Sequence, residues 1–199
     1  MKPTLVLLTG PQGSGNHLFS KILSNHPSVF GWRMKEYWEG HHLEPFAKYW
    51  DDPSLLKEFN WTQSKYYFTS ISCPYFRDQS PQIPLYQQFI TEVNKFCNVK
   101  IAIIGRDQNI LKKQQIRVRG SHTLKHFLNN INTLMKYSPI FISSELYQLY
   151  GKEYLTYMSK ALDFPILYQG KTEDSNKKYI HDVDHYWLDN EVKNACKES

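Results

Sequence analysis

The chain has 199 residues, and its 24 Lys+Arg against 19 Asp+Glu give a formal net charge of +5. That length suits a single domain, and 41% hydrophobic with 15% aromatic residues can build a core, which excludes a wholly disordered chain. No apolar run approaches the roughly 20 residues of a membrane span, so no membrane partner is expected. The three cysteines, Cys73, Cys97 and Cys196, are odd in number and lack metal-ligand spacing, so a disulfide framework is excluded and a reducing, cytoplasmic setting is expected.

Residues 4–9 are almost continuously apolar and run straight into a glycine-rich stretch. With no small-residue cleavage site after them, they predict a strand covered on both faces and not a signal peptide. From Asn16 the period changes: Leu18, Phe19, Ile22 and Leu23 recur at helical spacing until Pro27 forbids continuation. Residues 28–32 predict a second strand, and 66–72 a third, stopped by Cys73-Pro74. After Pro84, the residues Leu85, Phe89, Ile90 and Val93 mark a helix, and 101–105 read as another buried strand. Helices are expected over roughly 107–117 and 121–136, a strand over 139–143, a helix over 152–162 and a last strand over 165–168. Strands alternating with helices imply an α/β fold, with a central, mainly parallel β-sheet flanked by helices. Right-handed crossovers then bring the loops after the strands to one edge, where ligands bind.

Charge is unevenly spread. Residues 36–63 hold two Lys and six Asp+Glu, whereas 100–136 hold eight Lys+Arg and one Asp. The basic stretch suggests an anionic partner, such as a phosphorylated cofactor, a sulfated product or nucleic acid. Its alternative is a solvated helix face.

The most informative segment is Gly10-Pro11-Gln12-Gly13-Ser14-Gly15-Asn16-His17. It leaves a predicted strand and enters a predicted helix. Its glycines let the backbone curl so that successive N–H groups converge on one anion, and the following helix adds its positive end. A nucleoside-triphosphatase loop would continue Gly-Lys-Ser/Thr, supplying a lysine for the phosphates and a hydroxyl for Mg²⁺. Here Gly15 is followed by Asn16-His17, so a triphosphate with its metal is disfavoured and no metal is expected.

At these residues the chain resembles the sulfotransferases that use 3′-phosphoadenosine 5′-phosphosulfate (PAPS), most closely the carbohydrate and heparan-sulfate branch. The run from Gly13 to Val29, with its His26-Pro27-Ser28-Val29 end, is similar to that family's loop, first helix and following segment. Lys35-Glu36-Tyr37-Trp38 resembles the end of its second strand, where a glutamate is the catalytic base. Ile103-Ile104-Gly105-Arg106-Asp107 resembles the strand whose arginine holds the 3′-phosphate. Phe141 to Leu146, with Tyr154, Leu155, Met158 and Leu162-Asp163-Phe164-Pro165, matches a later strand and helix. Asn176-Lys177-Lys178-Tyr179 matches a late basic loop over the nucleotide.

The resemblance implies a single domain over 1–199, a three-layer P-loop-type sandwich with an acceptor-side insertion at about 36–65. It implies sulfuryl transfer from PAPS to a hydroxyl or amine of a small-molecule or carbohydrate acceptor. Glu36 is the implied base. Lys35 and His17 are candidates to stabilise the leaving phosphate. Pro11, Gln12, Gly13, Ser14, Gly15, Asn16, His17, Arg106, Gln114, Lys177 and Lys178 are the implied cofactor contacts. Three positions depart from the family. Gly13 stands where a loop lysine is common, Gln114 where a serine helps hold the 3′-phosphate, and Ser72 near a histidine of the cytosolic relatives. Two other functions compete: a P-loop nucleotide kinase, and a catalytically degenerate protein that binds nucleotide or, through Lys112, Lys113, Arg117, Arg119, His122, Lys125 and His126, nucleic acid. Nucleic acid is not the expected partner. Trp32, Tyr37, Trp38, Tyr49, Trp50 and Trp61 fit an acceptor pocket or the core equally well.

Overall fold

Thr4–Pro11 forms β1, and every residue after Thr4 in it is buried, as a strand covered on both faces requires. The computed structural model of the chain describes residues 2–33, 41–77, 80–168 and 170. β1 pairs in parallel with β3 (Tyr66–Cys73) on one side and β6 (Asn98–Gly105) on the other, Thr4 lying opposite both Tyr66 and Asn98. β2 (Val29–Phe30) lies outside β3 and β7 (Ile140–Ser143) outside β6, giving the order β2-β3-β1-β6-β7 with every pairing parallel. A short antiparallel hairpin of β4 (Tyr75–Arg77) and β5 (Ser80–Gln82) follows β3.

The two-residue period of the strands divides the core into two halves. Val6, Leu8, Phe68, Ala102, Ile104 and Ile142 face α1 (Asn16–Ser24) and α6 (Ser144–Leu162). Leu5, Leu7, Tyr67, Ile101 and Ile103 face the other layer. That layer holds α2 (Ala47–Asp51), a 3₁₀ turn (Pro53–Glu58), α3 (Tyr86–Val93) and α5 (Leu124–Met135). Helices on both faces of a five-stranded sheet make the three-layer α/β arrangement that the alternation of patterns predicts. α4 (Gln108–Arg119) begins where the Asp107 carboxylate accepts from the Asn109 and Ile110 amides and ends at Gly120, at φ 72°. No helix among the described residues is long and apolar enough to cross a membrane.

Several expectations need correction. The strand expected over 28–32 is two residues long. Gly31 lies against Phe68, and the Trp32 carbonyl accepts from Ser24 Oγ at 2.5 Å. The strand expected over 165–168 is irregular. Phe164 packs edge-on against Tyr66 at 5.6 Å, so the chain leaving α6 turns towards β3 instead of running beside β7. The helix expected from 152 begins at Ser144, with a break in helical geometry at Gly151. Of the aromatic residues left open between pocket and core, Trp32, Tyr49 and Trp50 are buried, and Trp61 packs against the core. Trp50 stacks on Phe89 with centroids 3.8 Å apart. Tyr37 and Trp38 lie outside the described residues.

Candidate functional site

The glycine-rich loop joins the carboxyl end of β1 to α1, between the carboxyl ends of β3 and β6, the edge where parallel sheets take ligands. Gly13 at φ 81° and Gly15 at φ 113° supply the left-handed geometry, and the Ser14 amide closes a turn on the Pro11 carbonyl at 3.1 Å. Gly15 caps α1 without a side-chain bond. The amides at the start of this helix therefore have no intrahelical acceptor, and the helix adds its positive end to them.

Four neighbouring elements hold the loop. Asn16 Nδ2 donates to Ser72 Oγ of β3 at 2.6 Å, and in the next turn Ser20 Oγ donates to Ser70 Oγ at 2.8 Å. Ser144 Oγ, opening α6, donates to the Ser14 carbonyl at 2.8 Å. Gln115 of α4 donates from Nε2 to the Gln12 carbonyl at 2.6 Å and accepts the Thr123 amide at 2.7 Å. Arg106, just past β6, donates from one guanidinium nitrogen to both the Gly13 carbonyl and Gln114 Oε1. Its neighbour Asp107 donates its amide to Glu145 Oε1 at 3.1 Å, tying the start of α4 to that of α6.

Pro11, Gln12, Gly13, Ser14, Gly15, Asn16, His17, Arg106 and Gln114 thus lie together at the loop. Lys35, Glu36, Lys177 and Lys178 lie outside the described residues. His17 is half-buried, and its ring meets Trp32 edge-on at 5.7 Å. Burial lowers its pKa, so at neutral pH it is a neutral donor and not a cation. The position of the family's loop lysine is shaped for glycine: a Cβ on Gly13 would meet the Gln114 side chain at 3.3 Å.

The residues fit an oxyanion. Backbone amides without an intrahelical acceptor open α1, the Arg106 guanidinium is bonded to the loop, and a neutral His17 lies in the same first turn. Gln12 Oε1 and Asn16 Oδ1 are buried without a hydrogen-bond partner among the described residues. The Ser14 hydroxyl is likewise buried without a hydrogen-bond partner among the described residues. Among the described residues no group of three His, Cys, Asp or Glu side chains gathers to hold a metal. Burial pushes the Cys73 thiol up to about 11 and that of Cys97 up to about 12, so neither is a thiolate nucleophile at neutral pH.

Sequence reasoning passed over Gln115, Ser144 and Glu44. Gln115 lies one turn after Leu111 on the buried side of α4, and a polar residue at an apolar spacing was its signal. Ser143-Ser144-Glu145 carries a helix-start pattern, and Ser143 Oγ does accept the Leu146 amide. Glu44 had no local signal. It is 3% exposed and accepts the Phe46 amide at 3.0 Å through Oε2, while Oε1 has no hydrogen-bond partner in close geometry among the described residues. Burial pushes its carboxyl up to about 8, against the pull of Thr69 and of the Phe46 and Ser70 backbones.

No protein-family model matches this chain, and no curated protein is significantly similar to it. The fold defines an α/β protein with a glycine-rich loop at the carboxyl edge of its parallel sheet.

Proposed function

We propose that the chain is a PAPS-dependent sulfotransferase acting on a hydroxyl or amine acceptor, in a reducing, cytoplasmic setting. The observation that carries this reading is Arg106 bonded directly to a glycine loop whose amides open onto the start of α1. A nucleotide with two separate phosphate groups needs such donors, and it needs no metal to be held there.

The chemistry divides into three tasks. PAPS supplies the sulfuryl group. The acceptor oxygen or nitrogen bonds to sulfur, and the sulfur–oxygen bond to the 5′-phosphate breaks. That electron pair stays on the phosphate of the departing adenosine 3′,5′-bisphosphate. Loop amides and a neutral His17 stabilise the charge that develops there, while Glu36 takes the acceptor proton. Lys35, Lys177 and Lys178 are further candidate contacts to the nucleotide.

Calorimetric titration with adenosine 3′,5′-bisphosphate tests the reading: saturable binding without added metal is expected, and no heat at millimolar ligand rejects it. Glu36→Gln should keep that binding and lose transfer from PAPS, whereas undiminished transfer removes Glu36 from the role of base. A second reading, nucleotide binding without turnover, is favoured by Gly13. A lysine there meets a positive φ and the Gln114 side chain. Binding with no release of the bisphosphate product across a panel of acceptors supports that reading over the enzyme.

A further inference from the structure

We infer that the acidic C-terminal segment 180–191 docks on the apolar flank of α5 beside β7, as an intramolecular cover for that edge of the sheet. The inference does not depend on the nucleotide reading above. β7 is an edge strand, and its Ile140 and Ile142 pack into the half of the core that holds α1 and α6. Strand alternation then turns Phe141 to the α5 side, where it is half-exposed. In that layer α3 packs between α5 and the 3₁₀ turn. α5 sends Phe127 and Leu134 into the core, while Asn130 and Thr133 line a cleft with Gln88 and Thr91 of α3. At the helical period, Leu128 and Met135 project from the opposite flank, towards β7, and both are half-exposed. Three large apolar side chains thus stand open among the described residues where a three-layer fold has room for another element.

Charge selects the occupant. Lys125 and Lys136 stand at the two ends of this flank without an acidic partner among the described residues, and no Asp or Glu occurs from residue 108 to 144. A second copy of the chain would set the same lysines against one another. Residues 180–191 instead hold Asp182, Asp184, Asp189 and Glu191 with no Lys or Arg, and bring Ile180, Val183, Trp187 and Leu188 to the apolar side chains. The chain can reach. On leaving α6, Phe164 packs on Tyr66 at the start of β3, and β7 lies three places along the sheet, roughly 15 Å away at the spacing of strands. Residues 165–179 can span more than that distance. α5 also begins beside the glycine loop, through the bonds of Gln115 to Thr123 and Gln12, so Lys177 and Lys178 can reach a nucleotide there before the chain enters the flank.

Zero-length carbodiimide coupling of the full chain, read by mass spectrometry, tests the docking, because it joins an amine to a carboxylate in contact with it. An equal mixture of unlabelled and ¹⁵N-labelled chains is coupled. Links from Lys125 or Lys136 to the carboxylates of 182–191 are expected, with both linked peptides carrying the same label. Absence of these links overturns the inference, and links of mixed label overturn it in favour of a second copy. Hydrogen exchange reads the same contact independently. Leu128→Asp should speed amide exchange in 180–191 by roughly tenfold or more, since it replaces an apolar contact with a like charge. Leu149→Asp, at an exposed position on α6, should leave that exchange unchanged. Exchange of 180–191 at the rate of an unfolded peptide in the wild-type chain, or equal acceleration by both substitutions, overturns the proposal. Retained protection of the β1 amides shows that Leu128→Asp still folds. Should it not, Lys125→Glu combined with Lys136→Glu reads the same exchange.

Discussion

At Gly15 the backbone sits at φ 113°, and a Cβ would lie 2.8 Å from Ser144 Oγ, which is itself bonded to the Ser14 carbonyl. A side chain here is strained by the backbone and also drives the start of α6 off the loop. Gly15→Ala should therefore cost at least the ~1–2 kcal/mol of a left-handed L-residue, with more from the displaced serine. A urea denaturation midpoint lowered with an unchanged slope is the expected result, and an unchanged midpoint removes the argument. Gly15 was legible in the sequence because a glycine between an apolar run and a helical period announces its own geometry. Ser144 was not. Its partner is 130 residues away, and nothing local in a serine after a strand says which carbonyl it will meet.

On the scale of elements, α4 is the bracket that holds the loop from the β6 side. Its start is fixed by the Asp107 side chain and its end by Gly120, while the sequence showed only a helical period over roughly 107–117. Its docking was not visible, because it depends on Gln115, which is 2% exposed and reaches Gln12 across 103 residues of sequence. Gln115→Ala leaves a carbonyl in the loop and the Thr123 amide without their partner. A loss of about 1–3 kcal/mol for each buried group left unsatisfied is expected, together with weaker nucleotide binding. Unchanged stability would mean that the loop is held by β3, α6 and Arg106 without help from Gln115. The strand expected over 165–168 fails for the complementary reason. A short apolar run says that a segment is buried but not which neighbour buries it. Here Phe164 finds Tyr66 instead of the edge of β7.

Across the whole molecule, the alternation that splits the core into two halves was legible from β1 alone, where Leu5 and Leu7 face one layer and Val6 and Leu8 the other. The acidic insertion was read as an acceptor-side feature, yet its described part contributes Phe46, Tyr49 and Trp50 to the core. Glu44 lies within that part, and its titration gives folding a pH dependence. Among the described residues the groups facing it are Thr69 and the backbones of Phe46 and Ser70, none of them charged, while Lys48 lies over the Tyr49 ring. The carboxyl is raised from 4.5 to about 8 in the folded chain, so the folded state holds a proton that the unfolded state has released between those values. Stability from this group is complete below pH 4.5 and falls as pH rises to about 8, each unit costing about a factor of ten in the folding equilibrium, and is level above. Glu44→Gln should remove this fall and melt higher than wild type at pH 8.5. Parallel melting curves for the two chains between pH 5 and 9 would exclude the effect.

The place of β1 in the sheet also governs the order in which the chain can assemble. β1 comes first in sequence but lies third in the sheet, and its two neighbours begin at residues 66 and 98. A nascent chain therefore carries an apolar strand with both edges open until residue 73 has been made, and with one edge open until residue 105. Non-local pairing of this kind slows folding and leaves such a segment exposed to other chains in the meantime. The glycine loop shares that wait. Its Ser72, Arg106, Gln115 and Ser144 contacts are supplied one after another as synthesis proceeds, so the cradle is completed only when α6 arrives. Any anion that the loop takes is then held in full only once α6 has been made, and such a ligand would stabilise only the last stage of assembly.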